Sequence, residues 1–374
     1  MLLAKQGQTL ACTGVTLWIW VLLGSWCDAY AQADWKKDWQ ETLATAHSEG
    51  RVVLYLNRGP EWDSVLTEFQ KQYPKIRLSL VTGTGSQLNS RILAERRAGK
   101  YIADILGGGP GTVFRLHKVG GLDPIKSLLA LPEVLDESKF FEGKHRYADP
   151  QNRYVFVYVG TGSGLRISYN SKLVNPEEFT SYRDLLNAKW KGKILSRDPR
   201  TSSGIMQFMY YNSMLGPQFL KELYGSMDVT LSRDLRQMND WLALGKFAIS
   251  VGTRGIKTAK AQGLPVDDFD KRSWKEGVSL SALGGSVSFV NRAPHPNAAK
   301  VFINWFLSRD GQTVYQAHSD REDPPNSLRI DIPKDIVPAE NRIFEGMRYM
   351  DLTKQTDIDL TPIYALFNDI LKSR

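Results

Sequence analysis

Apolar and polar positions along this chain change period repeatedly, and each change marks an element. The run "RVVLYL" (Arg51 to Leu56) is continuously apolar, β-branched and aromatic, the pattern of a strand buried on both faces. It stops at "NRGPEWDS". In "WDSVLTEFQKQY", Val65, Leu66 and Phe69 then recur at helical spacing. A helix from Trp35 to Ser48, closed at Gly50, precedes the strand. "IRLSLV" (Ile76 to Val81) alternates as a strand, "QLNSRILAERRAGK" places Leu88, Ile92 and Leu93 on one helix face, and "ADILGGGPGT" reads as a third strand with a Gly-rich end. The middle repeats this logic: a strand in "GSGLRISYN", a helix in "SYRDLLNAKWKGKIL" leading to a strand at Lys193 to Leu195, and helices in "SSGIMQFMYYNSML" and "MNDWLAL". A strand at Phe247 to Thr253 and a helix closing at Gly263 follow. Later, "GGSVSFV" (Gly284 to Val290) is a strand, "HPNAAKVFINWFLSRDGQ" is one helix with Pro296 near its start, and the remainder is helical with loops. Strands alternating with helices predict two α/β units with parallel sheets, the late strand returning to the first.

The N-terminus is of another kind. Lys5 is its only basic residue, Val15 to Leu23 is apolar, and Ala29 and Ala31 fit a cleavage site with Gln32 as the first mature residue. The alternative, an uncleaved anchor, asks a short run to span a bilayer. Both cysteines, Cys12 and Cys27, lie ahead of Ala31, so the mature chain has neither disulfides nor thiol chemistry. Cys27 follows Leu23-Gly24-Ser25 as a lipid acceptor would, but Trp26 stands where a small residue is wanted. Lys5 and Asp28 cancel, so the mature chain keeps the formal charge of +8 of the whole 374-residue sequence. That balance favours anionic partners or a negative surface. No basic helix, Arg/Lys repeat or zinc spacing points to nucleic acid, and a basic solvated surface is the plainer reading.

In open α/β sheets ligands bind beyond the carboxyl ends of strands. The loops there are 57–62, 82–86, 107–110, 197–204 and 252–255, all rich in Gly, Ser and Thr, and several lead into helices. Free amides and the positive dipole end of a helix suit an anion. The candidate ligand-binding residues are Arg58, Gly59, Glu61, Trp62, Thr84, Gly85, Ser86, Gly108, Gly109, Thr201, Ser202, Ser203, Gly204, Thr253 and Arg254. Each hydroxyl taken alone is more ordinarily a helix N-cap. Arg58 and Arg254, each just past a strand, suit a carboxylate or phosphate, or else a surface ion pair. Trp62 and Tyr154 offer aromatic walls, with core packing the simpler role for Tyr154, and Glu61 offers a partner for an amine.

Catalytic patterns are poor. None of His47, His117, His145, His295 and His318 has a metal-ligand partner three or four residues on. Ser163 in "GTGSGL" precedes a strand, whereas a nucleophile elbow needs a strand-to-helix turn. "GTGS" at 83–86 lacks a P-loop lysine, and "GGGPG" lacks the dinucleotide spacing. No catalytic residue, metal site or cofactor is assigned.

Assembled, the stretches "RVVLYLNRGPEWDSVLTEFQKQYP", "TGTGSQLNSRILAERRAGKYIADILGGG", "AKWKGKI…DPRTSSG", "LALGKFAISVG" and "APHPNAAK…FLSRDGQ" resemble the periplasmic solute-binding proteins of ABC importers, in the branch that includes ferric-iron binders. The resemblance covers nearly all of the mature chain. It implies a two-lobed periplasmic binding fold of type 2, each lobe a mainly parallel sheet flanked by helices, joined by crossing strands. The expected divisions are a signal peptide at 1–31, a first lobe at 32–163 and 284–315, and a second lobe at 164–283 and 316–374. It also implies a non-enzymatic, monomeric receptor that closes on a small solute and docks on a membrane permease, with no nucleic acid. In the iron branch adjacent tyrosines follow the strand that resembles "FAISVG". This chain has Gly252-Thr253-Arg254-Gly255 there, and Arg58 where a histidine is often found. Its tyrosine pair, Tyr210-Tyr211, falls inside the preceding helix, where neighbours diverge by about 100°. One is expected to pack and the other to be partly exposed. Cations at those positions favour an organic anion (phosphonate, sugar phosphate or carboxylate) over ferric iron. A ligand-sensing subunit of a membrane kinase would share the fold.

Overall fold

The computed structural model describes residues 35–57, 61–160, 166–280, 285–318, 325–337, 342–343, 349–352 and 359–373; within the described helices, the side chains of residues 61, 110, 111, 202 and 318 are left aside. The expected signal segment lies outside these residues, as do Arg58, Gly59 and Ser163. No helix among the described residues is long and apolar enough to cross a membrane.

Helix α1 (35–49) leads into β1 (Arg51–Asn57), α2 (Glu61–Gln72), β2 (Arg77–Gly83), α3 (Gly85–Arg97), β3 (Ile105–Gly108), α4 (Pro110–Lys118), β4 (Leu122–Asp123), α5 (Pro132–Leu135), β5 (Arg146–Tyr147), β6 (Val155–Val157) and β7 (Val159–Gly160). A second group holds β8 (Ile167–Asn170), β9 (Ile194–Arg197), α6 (Ser202–Lys221), β10 (Thr230–Ser232), α7 (Leu235–Ala243), β11 (Ile249–Val251), α8 (Ile256–Ala261) and β12 (Val266–Asp268). Then come β13 (Val278–Leu280), β14 (Ser286–Val290), α9 (Pro296–Leu307), α10 (Arg309–His318), β15 (Asn326–Ser327), β16 (Tyr349–Asp351) and α11 (Thr361–Lys372).

The strands form two main sheets. The first runs β2-β1-β3-β14-β6-β5, with β4 on β14; the second runs β10-β9-β11-β8-β12. Their parallel character is confined to one half of each. β1 pairs parallel with β2 and β3, and β9 with β10 and β11, whereas β14, β6 and β5, and likewise β8 and β12, are antiparallel. The expected return of the late strand is β14, inserted beside β3.

The unbroken apolar run of β1 follows from its position. Val52, Leu54 and Leu56 face a core shared with α1, α2, α9 and α10, while Val53 and Tyr55 face a second core with Leu88, Ile92, Val113 and Leu116. In the second lobe Ile194, Ile249 and Val251 pack beneath α6 and α11, through Phe208, Tyr211, Phe219 and Phe367.

Two sequence expectations are corrected. The stretch from Pro296 to Gln312 is not one helix. Ser308 has an extended backbone, ψ 170°, and ends α9, while its hydroxyl accepts from the Gly311 amide at 3.2 Å and its carbonyl from Gln312 N at 3.1 Å, opening α10. The boundary at residue 316 also moves. Ser327 Oγ donates to Gln312 Oε1 at 2.7 Å, Leu328 N donates to Tyr158 O at 2.8 Å, and Phe141 N donates to Leu328 O at 2.8 Å, so residues 325–337 pack on the first lobe. Helix α11 and Leu352 are seated on the second, with Phe367 edge-on to Phe208 at 5.3 Å.

Arg329 holds the returning segment in place. It is 1% exposed, donates from Nη1 to Leu307 O at 3.0 Å and Glu133 O at 3.2 Å, pairs with Asp331 at 2.8 Å, and stacks over Phe140. A buried guanidinium whose donors are paired with carbonyls and a carboxylate is costly to truncate. Arg329→Ala is expected to lower unfolding stability by about 3 kcal/mol, read as a shift in the denaturant midpoint with an unchanged slope.

Candidate functional site

Parallel register sets the edges on which the candidate loops stand. Asn57 is level with Gly83, and Leu56 with Gly107, so the ends of β1, β2 and β3 form one rim of the first lobe. In the second, Arg197 is level with Ser232, and Val251 with Ser196. The carboxyl ends predicted to carry the site are therefore adjacent within each sheet.

On the first rim, the hydroxyls expected to meet an anion are partly engaged locally. Thr84 caps α3: its Oγ1 accepts from Gln87 N at 3.3 Å, and Gln87 Oε1 accepts from Thr84 N at 2.8 Å. Ser86 stands exposed on the next turn. Gly85 allows α3 and α4 to touch, because a Cβ there would lie 2.1 Å from Thr112 Oγ1. Asn89 fastens the contact by donating to Gly85 O at 2.8 Å and Thr112 O at 2.5 Å. The carbonyl of Gly108 accepts from Ser286 Oγ at 2.6 Å, and Gly109 is the N-cap of α4. Sequence reasoning passed over Asn57, whose Oδ1 is sealed from solvent with no hydrogen-bond partner at this rim. Its place as the last residue of a strand was the available signal.

Trp62 is corrected. It is 6% exposed and packs on Phe306 at 5.6 Å and Tyr315 at 5.5 Å, so the indole belongs to the first core rather than to a ligand wall. Its helical spacing with Val65 and Phe69 already put it on the core face of α2. Glu61 opens the same helix. Tyr154 is half-buried against His117, at 4.9 Å, as its core-packing reading anticipated.

On the second rim, the "DPRTSSG" turn is knotted to itself. Thr201 caps α6, accepting from Gly204 N at 3.1 Å and donating its hydroxyl to Asp198 O at 2.7 Å. Gly204 lies so close to that carbonyl that a Cβ would sit 2.1 Å away, which gives this glycine a steric reason of its own. Ser202 is the first residue of α6, and Ser203, exposed, accepts from Arg197 Nε at 3.1 Å. Thr253 is corrected as well: it is 1% exposed, with its hydroxyl 2.9 Å from Ser168 Oγ, which donates to Asp268 at 2.5 Å. It braces β8 and β12 from within. Arg254 is exposed beside it, and its carbonyl accepts from Asn239 Nδ2 at 2.7 Å.

The tyrosine pair is buried throughout: Tyr210 is 2% and Tyr211 0% exposed, against the expectation that one would be partly exposed. Helix α6 is covered on two sides rather than one. Burial raises the Tyr211 phenol well above its ordinary range, so it stays protonated. Among the described residues no three His, Cys, Asp or Glu side chains are grouped to hold a metal ion.

Asp198 governs the shape of the second rim. Burial by itself would raise its carboxyl, but hydrogen bonds from Arg200 at 2.8 and 3.0 Å and from Arg233 at 2.8 Å bring it down to about 2. A depressed carboxyl stabilises the fold above its unfolded pKa, and that contribution is lost as pH falls through the folded value. Both arginines are exposed, which screens the pairing. Wild type is therefore expected to lose about 1–2 kcal/mol between pH 4 and pH 2 through this group, and Asp198→Asn to lack that part of the acid sensitivity in denaturant titrations.

Comparison with known proteins places these rims in context. A protein of Haemophilus influenzae, itself uncharacterized, is 26% identical over 286 residues, covering 72% of this chain and 76% of that one. Iron-bound HitA from Pseudomonas aeruginosa superposes with a TM-score of 0.61 at 17% identity, over 86% of this chain and 99% of that one. AfuA from Actinobacillus pleuropneumoniae, bound to exogenous fructose-6-phosphate, does so with a TM-score of 0.57 at 18% identity, over 87% and 99%. Both share the type 2 periplasmic binding fold. Residues 55–313, more than half of the chain and all of both rims, match the family of bacterial extracellular solute-binding proteins. The chain belongs to that family, the substrate-binding proteins that bind small molecules and work with ABC permeases.

Proposed function

We propose that this protein is an exported receptor that captures a small anionic organic solute, a phosphonate, sugar phosphate or carboxylate, between its lobes and delivers it to the permease of an ABC importer. It acts by binding and release, without chemistry on the solute. The observation that carries the reading is the composition of the two rims. Helices α3, α4 and α6 begin there behind glycine- and hydroxyl-rich turns, and Arg254 follows β11. Helix starts and a guanidinium offer donors, and donors suit oxyanions. Arg58, next after Asn57 in the sequence, adds a second cation.

The neighbours bind different things, iron for HitA and fructose-6-phosphate for AfuA. Donor chemistry separates these possibilities for this chain. Ferric iron wants hard anionic oxygens. Here the paired tyrosines are buried on α6, with the Tyr211 phenol held protonated, and Thr253 and Arg254 occupy the turn after β11. These features support the organic anion.

The test is a thermal-shift screen of residues 32–374 with fructose 6-phosphate, 2-aminoethylphosphonate, citrate, spermidine and ferric citrate. A ligand that binds only the folded state raises the melting temperature with concentration. One anionic class is expected to do so, and Arg254→Ala to weaken that binding about 10-fold or more. A response to ferric citrate alone, with a coloured charge-transfer band, would overturn the reading.

A further inference from the structure

Three arginines surround the turn between β9 and α6, and they are not equivalent. Arg200 and Arg233 both hold Asp198. Arg197, the last residue of β9, has no carboxylate partner among the described residues. Its Nε donates to Ser203 Oγ at 3.1 Å, and its Nη1 is sealed from solvent with no hydrogen-bond partner. A guanidinium nitrogen withdrawn from water with no acceptor is costly to a fold. Asp198 is two arginines' worth of charge away from serving it, being already taken.

The surroundings fix this side chain's position. Arg197 is level with Ser232 on β10, one residue beyond the Ser196–Val251 pair, and Gly252 lies so near that a Cβ there would meet the Cβ of Arg197 at 2.9 Å. Ser203, its hydrogen-bond partner, belongs to the first turn of α6, whose positive dipole end lies at this rim and which kinks at Gly216. A held guanidinium with an unused donor, beside a helix start at the carboxyl edge of a sheet, is a site built for an oxyanion.

We infer that Arg197 joins Arg254 as an anion-binding residue of the second lobe and sets its specificity, and that the solute carries a phosphate, phosphonate or carboxylate group taken by its guanidinium. The inference rests on the anion-receptor reading and adds a residue to it. It also separates the roles of the arginines on this rim, since Arg200 and Arg233 shape the turn while Arg197 meets the solute.

Arg197→Met keeps the length and apolar packing of the side chain and removes the charge, and Arg197→Lys keeps the charge but not the planar fork. Each would be compared with wild type for binding of fructose 6-phosphate, 2-aminoethylphosphonate and citrate, and for the melting temperature without ligand. Arg197→Met is expected to lose about 30-fold or more in affinity for the bound anion, with Arg197→Lys in between. The unliganded melting temperature of Arg197→Met should equal or exceed that of wild type, because a buried donor without an acceptor has been removed. Unchanged anion affinity in Arg197→Met would overturn the inference and leave the receptor reading standing. A fall in its unliganded melting temperature, or failure to fold, would make the guanidinium part of the scaffold and overturn it too. If wild type binds none of the anions, the receptor reading and the inference fall together.

Discussion

A parallel strand pair cannot be joined by a tight turn, and a sheet built on such pairs must be covered on both faces. That constraint organises the first lobe. Each chain segment leaving β1 or β2 must travel back over a face of the sheet before the next strand begins, so helices α2 and α3 are obligatory, and every such helix starts at the same rim. The apolar continuity of β1, the two cores on either side of it, and the crowd of helix starts beyond Asn57 and Gly83 are one fact seen at three levels. The second lobe repeats it with β9, β10 and β11. The antiparallel halves of both sheets, where β14 and β8 enter, bring the chain in from the other lobe and contribute no helix start to the rim.

This crowding explains why residues proposed for binding also have structural duties. Thr84, Thr201 and Gly204 belong to the proposed anion site, and each is needed to close a turn or admit a carbonyl. A rim held by its own hydrogen bonds presents its remaining donors in fixed directions. Preorganisation of this kind lowers the cost of ordering a site on binding. Asp198 shows the arrangement most clearly. By engaging Arg200 and Arg233 it offsets one of their two positive charges beside the rim and fixes the turn from which α6 departs.

Much of this was legible in the sequence, because period and turn chemistry are local. The strands at β1, β2, β9, β11 and β14, the helix starts after them, and the family itself could be read from residue order. What was not legible depended on contacts between distant segments. Nothing near Trp62 announces that Phe306 and Tyr315 close over it, and nothing near Thr253 reveals Ser168 and Asp268 on neighbouring strands. One of Tyr210 and Tyr211 was expected to be partly exposed because one helix face was assumed to be wet, while α11 and the 3₁₀ turn at Tyr182–Leu186 cover α6. Arg197 was hidden differently: three arginines close together read alike, and only their hydrogen bonds show which has no carboxylate partner among the described residues.

The return of residues 325–337 to the first lobe, followed by α11 on the second, means that the chain passes between the two bodies a third time. Strand β16 runs alongside β13, so this last passage is bonded to the one leading into β14. In mechanical terms the lobes are tied by several neighbouring cords rather than one. A single cord would leave swing and twist equally free, whereas cords laid side by side stiffen against twist and leave bending as the soft direction. In the proposed receptor, rims that part by bending would meet again in the same alignment.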